Sequence, residues 1–252
     1  ATIEKHLALA KIKTKVVNGI RITPDRAMPH IKLAAMEVVN TVISHLSAGQ
    51  ANGIMGNWTK ARSLGVLEGV DYQYSGHVEK IQSDTVLRLL GQNFIPVIYN
   101  IGMNAQGHCY NLNSDQIAHQ VCLDLDIEKL FYIRAQDAIP TNGLEQPPGS
   151  QLHPSGMIFS NMDVGHVDFM LIRNRDLLSF ENLRLLKFSK AVIDRPNGVT
   201  RVHIIDGRNE GRLLQEVFSS IGGGTMIYGN QYAHIRQATL EDVPEILHLL
   251  DG

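Results

Sequence analysis

Short aliphatic, β-branched runs alternate with segments of helical periodicity along most of this chain. That alternation restricts the fold to the α/β class. Residues 27–46 carry the longest helical pattern: Val38, Val39, Val42, Ile43 and Leu46 recur at helical spacing, and Gly49 stands where a stop belongs. The spacing predicts a shorter helix over 84–90 and a buried strand over 94–100, where Pro96 marks a position whose N–H no neighbour needs. Asn113 or Ser114 is a good N-cap for the next helix, with Asp115 near the positive end of its dipole and Ile117, Val121, Cys122 and Leu125 as its inner face. Buried strands are expected at 130–133 and 200–205, and a helix at 211–220 with Leu213, Leu214, Val217 and Phe218 turned inward. A short strand at 225–228 comes last. Residues 140–160, with four prolines, read as a loop or hairpin. Together these elements imply a largely parallel sheet covered on both faces, a three-layer sandwich. Ligands of such sheets sit at the carboxyl ends of strands, against helix N-termini.

Composition excludes more than it selects. A net charge of -2 gives no electrostatic case for nucleic acid or an anionic membrane. No stretch reaches the roughly 18 apolar residues of a membrane span, and the N-terminus lacks the apolar core of a signal peptide. The two cysteines, Cys109 and Cys122, have neither metal-ligand nor redox spacing, which fits a reducing, cytoplasmic location.

Three constellations could hold a polar ligand. In Gly19-Ile20-Arg21-Ile22-Thr23 a glycine allows close backbone approach and the Arg21 fork can grip a carboxylate, although an edge turn with a solvated arginine fits the same residues. In Tyr110-Asn111-Leu112-Asn113-Ser114-Asp115, helix capping explains Asn113 and Asp115 but does not require Asn111. The third combines His203 on a strand, Glu216 on the following helix and the loop Gly222-Gly223-Gly224-Thr225. Glu216 could bind a guanidinium while the glycines let backbone approach the ligand. A satisfied core histidine and a left-handed loop explain the same residues. The loop lacks the Lys-Ser/Thr of a phosphate loop. Residues 162–168 carry metal-capable side chains at no common metal spacing and read as a strand with polar neighbours, so no metal is expected.

In their order along the chain, these stretches resemble the acetylglutamate kinase and N-acetylglutamate synthase group of the amino-acid kinase family. The resemblance also draws on Gly69-Val70-Asp71, Ser75-Gly76-His77-Val78-Glu79-Lys80-Ile81, Ile95-Pro96-Val97-Ile98 and Arg201-Val202-His203-Ile204-Ile205-Asp206-Gly207. It implies that Arg21, Asn111 and Asp115 form an acetylglutamate-type site, here vestigial, and that Lys187 falls near one of the family's phosphate-binding lysines. It further implies an L-arginine site at His203, Glu216, Gly222 and Gly224, with which Lys187 is counted. Departures favour synthase over kinase. The family's first strand, a lysine with ATP-cradling glycines, should precede residue 1. Arg134-Ala135-Gln136-Asp137-Ala138 replaces the kinases' nucleotide segment, and the stretch from Gly53 to Arg62 looks like the synthase pattern.

The tail, His234-Ile235-Arg236-Gln237-Ala238-Thr239 with the helical run from Glu241 to Leu250, looks like the opening of a GNAT acetyltransferase domain. The resemblance thus implies a partial regulatory domain over 1–230 and a truncated acetyltransferase start over 231–252. The fragment would hold no cofactor and no catalytic residue. The full protein would be a cytoplasmic homo-oligomer that transfers acetyl from acetyl-CoA to L-glutamate under control by L-arginine. The alternatives are an acetylglutamate kinase using ATP, or a non-catalytic arginine-sensing module.

Overall fold

The computed structural model describes residues 2–196, 198–219 and 222–229; the acetyltransferase-like tail lies outside them. The chain opens with helix α1 (Thr2–Leu9) and a hairpin of β1 (Val16–Val17) and β2 (Ile20–Arg21). Asn18 and Gly19, at φ 50 and 70, make the left-handed two-residue turn that hairpin twist favours. Helix α2 (Met28–Ala48) follows, with Pro29 in its first turn, then β3 (Asn52–Met55) and β4 (Thr59–Ser63). A second hairpin, β5 (Val66–Leu67) and β6 (Val70–Asp71), leads to β7 (Gly76–Ile81) and α3 (Ser83–Gly91). Strands β8 (Phe94–Val97), β9 (Ile101–Met103) and β10 (Cys109–Asn111) precede α4 (Ser114–Asp124). The C-terminal half runs β11 (Lys129–Arg134), β12 (Gln151–Leu152), β13 (Phe159–Asp163), α5 (Val164–Arg173), α6 (Phe180–Ile193), β14 (Arg201–Asp206), α7 (Arg212–Phe218) and β15 (Thr225–Tyr228).

The strands form mixed sheets. A five-stranded sheet has the order β11-β14-β15-β13-β12, in which β11 and β14 are parallel while β14 and β15 are antiparallel. A four-stranded sheet has the order β10-β9-β4-β7, and β3 pairs in parallel with β8. The α/β class expected from sequence is present, but the sheets are mixed: in the five-stranded one the β14–β15 and β13–β12 pairs are antiparallel, while β11–β14 and β15–β13 are parallel. The main core lies between one face of the five-stranded sheet and helices α4, α5 and α6. Tyr132, Val202, Ile204, Phe159, Met162 and Ile227 supply the sheet side, and Val167, Met170, Leu185, Leu186 and Val192 the helical side. Each fully buried aliphatic of that set contributes ~1.5–3 kcal/mol by removal from water. A second core joins Trp58, Ala61, Val78 and Ile81 to Val86, Ile117 and Leu125.

Several expectations need correction. The strand over 94–100 ends at Val97, and Ile95 is 42% exposed, because β3 is its one pairing partner among the described residues. Pro96, opposite Ile54, suits that half-paired position. The stop expected at Gly49 does hold: it caps α2 at φ -84, and the left-handed turn follows at Gln50, φ 58. Ile133 is 58% exposed, since it alternates away from the core face that carries Tyr132. Residues 162–168 are a strand-to-helix junction. Asp163 ends β13 and caps α5, accepting from His166 N at 2.7 Å while the His166 ring accepts from Asp163 N.

Helices α5 and α6 escaped the sequence reading altogether, although Ser179 caps α6 by accepting from Asn182 N. Helix α7 is present but inverted. Leu213, Leu214, Val217 and Phe218 are exposed, Phe218 by 82%, and its buried residue is Glu216. A carboxylate occupies the inner face because hydrogen-bond donors await it there.

Candidate functional site

Glu216 is the centre of the C-terminal site. Strand β14 carries His203 on the face away from the main core, and α7 packs on that face, bringing Glu216 down onto it. His203 Nδ1 lies 2.7 Å from Glu216 Oε1. The backbone N–H groups of Gly223 and Gly224 donate to Glu216 Oε2 at 2.7 and 2.8 Å. Burial by itself pushes this carboxyl up, but the His203 ring and the two glycine N–H groups more than offset it, and its pKa falls below the ordinary 4.5. The site therefore holds a buried negative charge at neutral pH.

The glycines are dictated by geometry. Gly222 has φ +73, and a Cβ there would meet Glu216 Oε2 at 2.7 Å; a Cβ on Gly224 would meet the Ile204 carbonyl oxygen at 2.2 Å. Gly222 N donates to Ser219 Oγ, so Gly223, not Gly222, shares the carboxylate with Gly224. Phe131 stacks on the His203 ring with centroids 4.5 Å apart. The sequence reading missed Phe131; the register of β11 against β14, which puts it beside His203, is what reveals it.

Of the other predicted residues, Arg21, Asn111 and Lys187 line a separate groove of about 1680 Å³. Asn111 Nδ2 donates to Thr23 Oγ1 at 3.0 Å, and that hydroxyl is 2.8 Å from Ser75 Oγ, so three distant stretches of sequence meet at one point. Asn100 Nδ2 donates to Asn111 Oδ1 at 3.0 Å. Arg21 lines the groove too, with its guanidinium engaged by Thr14 Oγ1 and the Glu4 carboxylate. Asp115 accepts from Arg184, whose Nη2 and Nε approach its Oδ2 at 2.7 and 3.2 Å. Arg184 thus holds Asp115, where the resemblance suggested a lysine. Lys187, one turn further along α6, lines this groove, whose lining does not include Glu216. Nothing in sequence pointed to Arg184, since the helix that carries it was not foreseen. Gly19 admits the β1–β2 turn against α6, where a Cβ would stand 3.2 Å from Phe180 Cβ.

The carboxyl ends of β11 and β14 are filled by the protein's own charges. Arg134 donates to Asn182 Oδ1 at 2.8 Å and pairs with Glu181. Arg208 reaches Asp137 at 2.6 Å and Asp206 at 2.8 Å. The Arg208 side chain and backbone N–H bonds hold the Asp206 carboxyl down at about 2 against burial that raises it. A depressed carboxyl stabilises the fold above its unfolded pKa, and that stability is lost as pH falls through the folded value. Wild-type protein should therefore lose more of its urea midpoint between pH 4 and pH 2 than Asp206→Asn protein does. Equal acid sensitivity of the two would remove Asp206 from the account.

Among the described residues no group of three or more His, Cys, Asp or Glu side chains is placed to hold a metal, and no helix is long and apolar enough to cross a membrane. Comparison with known proteins gives a consistent picture. The amino acid kinase family model matches residues 1–155. The amino-acid acetyltransferase of Vibrio cholerae is 30% identical over 243 residues, covering 92% of this chain and 52% of the relative. That of Aliivibrio fischeri is 29% identical over 245 residues, with the same coverage of 92% and 52%. N-acetylglutamate synthase from Neisseria gonorrhoeae, solved with coenzyme A and N-acetyl-glutamate, superposes at a TM-score of 0.77 and 26% identity, covering 99% of this chain and 55% of that one. The same enzyme solved with coenzyme A and L-arginine gives 0.74 at 25% identity, covering 99% and 56%. The chain spans about half the length of the curated relatives it matches.

Proposed function

This chain belongs to the amino acid kinase family, and from that premise we propose that it is the regulatory part of an N-acetylglutamate synthase, binding L-arginine at Glu216. The observation that carries the reading is the charged, buried Glu216 carboxylate beside His203 and the loop of Gly222, Gly223 and Gly224. An ionised carboxylate offers about four acceptor positions, and the protein's own hydrogen bonds take three. A guanidinium supplies both the missing donor and the compensating charge, and its planar fork matches a carboxylate edge. The likeness to a synthase solved with L-arginine supports the assignment.

In this reading residues 1–230 are the amino-acid-kinase-like regulatory domain and 231–252 open an acetyltransferase domain. The full, homo-oligomeric protein transfers acetyl from acetyl-CoA to L-glutamate. Kinase activity has less to draw on. Phosphoryl transfer depends on charges free to surround the phosphates, whereas Arg184 and Arg134 are paired with Asp115 and Glu181.

Titration calorimetry on this chain tests the ligand. L-Arginine should give saturable heat at millimolar or lower concentration, and L-citrulline, equal in shape but uncharged, should give none. Absence of heat with millimolar L-arginine would sink the assignment. An acetyltransferase assay on the full-length protein tests the rest.

A further inference from the structure

Phe131, His203 and Met226 form one row across β11, β14 and β15, paired in register. Residues opposite one another in neighbouring strands share a face, and α7 packs on this one. Along β11 the same face has little else to bury: the Lys129 side chain and Ile133 are 46% and 58% exposed. Phe131 between them is half-buried and belongs to none of the three apolar clusters of described residues. Among those residues its one aromatic contact is the His203 imidazole, with 4.5 Å between centroids and 9° between planes. Strand preference by itself would account for a phenylalanine here. It does not account for a near-parallel stack against a ring that holds a buried carboxylate.

The carboxylate gives that stack a purpose. Each carboxylate oxygen accepts about two hydrogen bonds. Gly223 and Gly224 fill both positions on Glu216 Oε2, and His203 Nδ1 fills one on Oε1. The open position is therefore on Oε1, beside the imidazole, and the tilt of that ring decides how a ligand N–H can approach. Histidine's second side-chain torsion lies in a broad well, so the ring plane is not fixed by the side chain's own preference. The bond to Glu216 chooses which edge of the ring faces the carboxylate; a flat partner lying parallel to the ring fixes its plane. Without that partner the ring can tilt, swinging Nδ1–H off line, where hydrogen bonds weaken steeply, and toward the position that a ligand needs.

We propose that Phe131 is the positioning residue of this site, fixing the plane of His203 so that Nδ1 takes one position on Glu216 Oε1 and leaves the other open to the guanidinium of L-arginine. This rests on the reading of Glu216 as the L-arginine site. Phe131→Ile keeps an apolar, β-branched residue on the strand but removes the flat face, and Phe131→Tyr keeps the face. Phe131→Ile should weaken L-arginine binding by about 10-fold, the upper worth of a stacked aromatic pair. The thermal midpoint should move by no more than a few degrees, and Phe131→Tyr should bind as the wild type does. Proton NMR of the unliganded chain reads the route: the His203 imidazole N–H signal, identified as the one that His203→Gln removes, should exchange with water about 10-fold faster in Phe131→Ile, in step with the weaker hydrogen bond. An exchange rate unchanged in Phe131→Ile would overturn the proposal, even with affinity lost, because Phe131 would then touch the ligand itself. Equal losses of affinity in the isoleucine and tyrosine variants would overturn it too. If the wild type binds no L-arginine, the ligand reading falls, and the N–H signal, recorded without ligand, still decides whether Phe131 holds His203.

Discussion

Glu216→Gln should weaken L-arginine binding by about 100-fold while moving the thermal midpoint by only a few degrees. The two effects separate because they draw on different atoms. Folding uses the carboxylate as an acceptor, and a glutamine carbonyl oxygen can still receive the Gly223 and Gly224 N–H groups, now 2.7 and 2.8 Å from Oε2. The amide nitrogen then faces His203 Nδ1, which accepts in its other tautomer. The exchange costs about 1 kcal/mol, or roughly 2–4 °C in a chain of this size. Binding uses the charge. Leaving a buried guanidinium without its counter-ion costs about 2–5 kcal/mol, and about 2.7 kcal/mol is a factor of 100. Calorimetry and thermal unfolding on the same samples check both. Comparable losses of affinity and stability would make Glu216 a structural residue, and unchanged affinity would place the ligand elsewhere.

Gly224→Ala should cost about 3 kcal/mol or more, the upper end of overpacking. The added methyl would stand 2.2 Å from the Ile204 carbonyl oxygen and 3.3 Å from Ile205 Cα. Both are backbone atoms of β14, so no rotamer change relieves the clash. Relief requires β15 to draw away from β14, opening the pairs His203↔Met226 and Ile204↔Thr225. It also pulls Thr225 Oγ1 from the Phe159 carbonyl it meets at 2.6 Å. The thermal midpoint should fall by roughly 10 °C. A variant melting with the wild type would mean that the loop has slack the geometry does not show. Gly223→Ala, whose nearest neighbours stand at 3.1–3.2 Å and include the Arg212 side chain, should be milder.

What the sequence disclosed and what it hid follow from the range of the interactions. Helix α2, the Asn113 cap and strand β15 are set by local periodicity or local donors, and their positions were legible. The resemblance grouped Arg21 with Asn111, but neither the contact of Asn111 with Thr23 nor the Ser75 hydroxyl that completes it was foreseen. Arg184 could not be anticipated because apolar and polar residues are interspersed around α6: Leu183, Leu185 and Leu186 stand among Arg184, Lys187 and Lys190, which masks its period. Helix α7 misled for the opposite reason. Its four apolar residues imitate a core face, and only tertiary donors from β14 and the glycine loop reveal that the buried side belongs to Glu216.

The inverted helix has a consequence for how occupancy is felt. Seven residues make barely two turns, too few for a helix to persist on its own propensity. With its leucines turned outward, α7 is moored to β14 chiefly through one carboxylate. Whatever competes for or reinforces that mooring sets how often the helix melts. If a cation binds at Glu216 as proposed, it would act on a local order–disorder balance, and the protein would register its ligand as the lifetime of two helical turns.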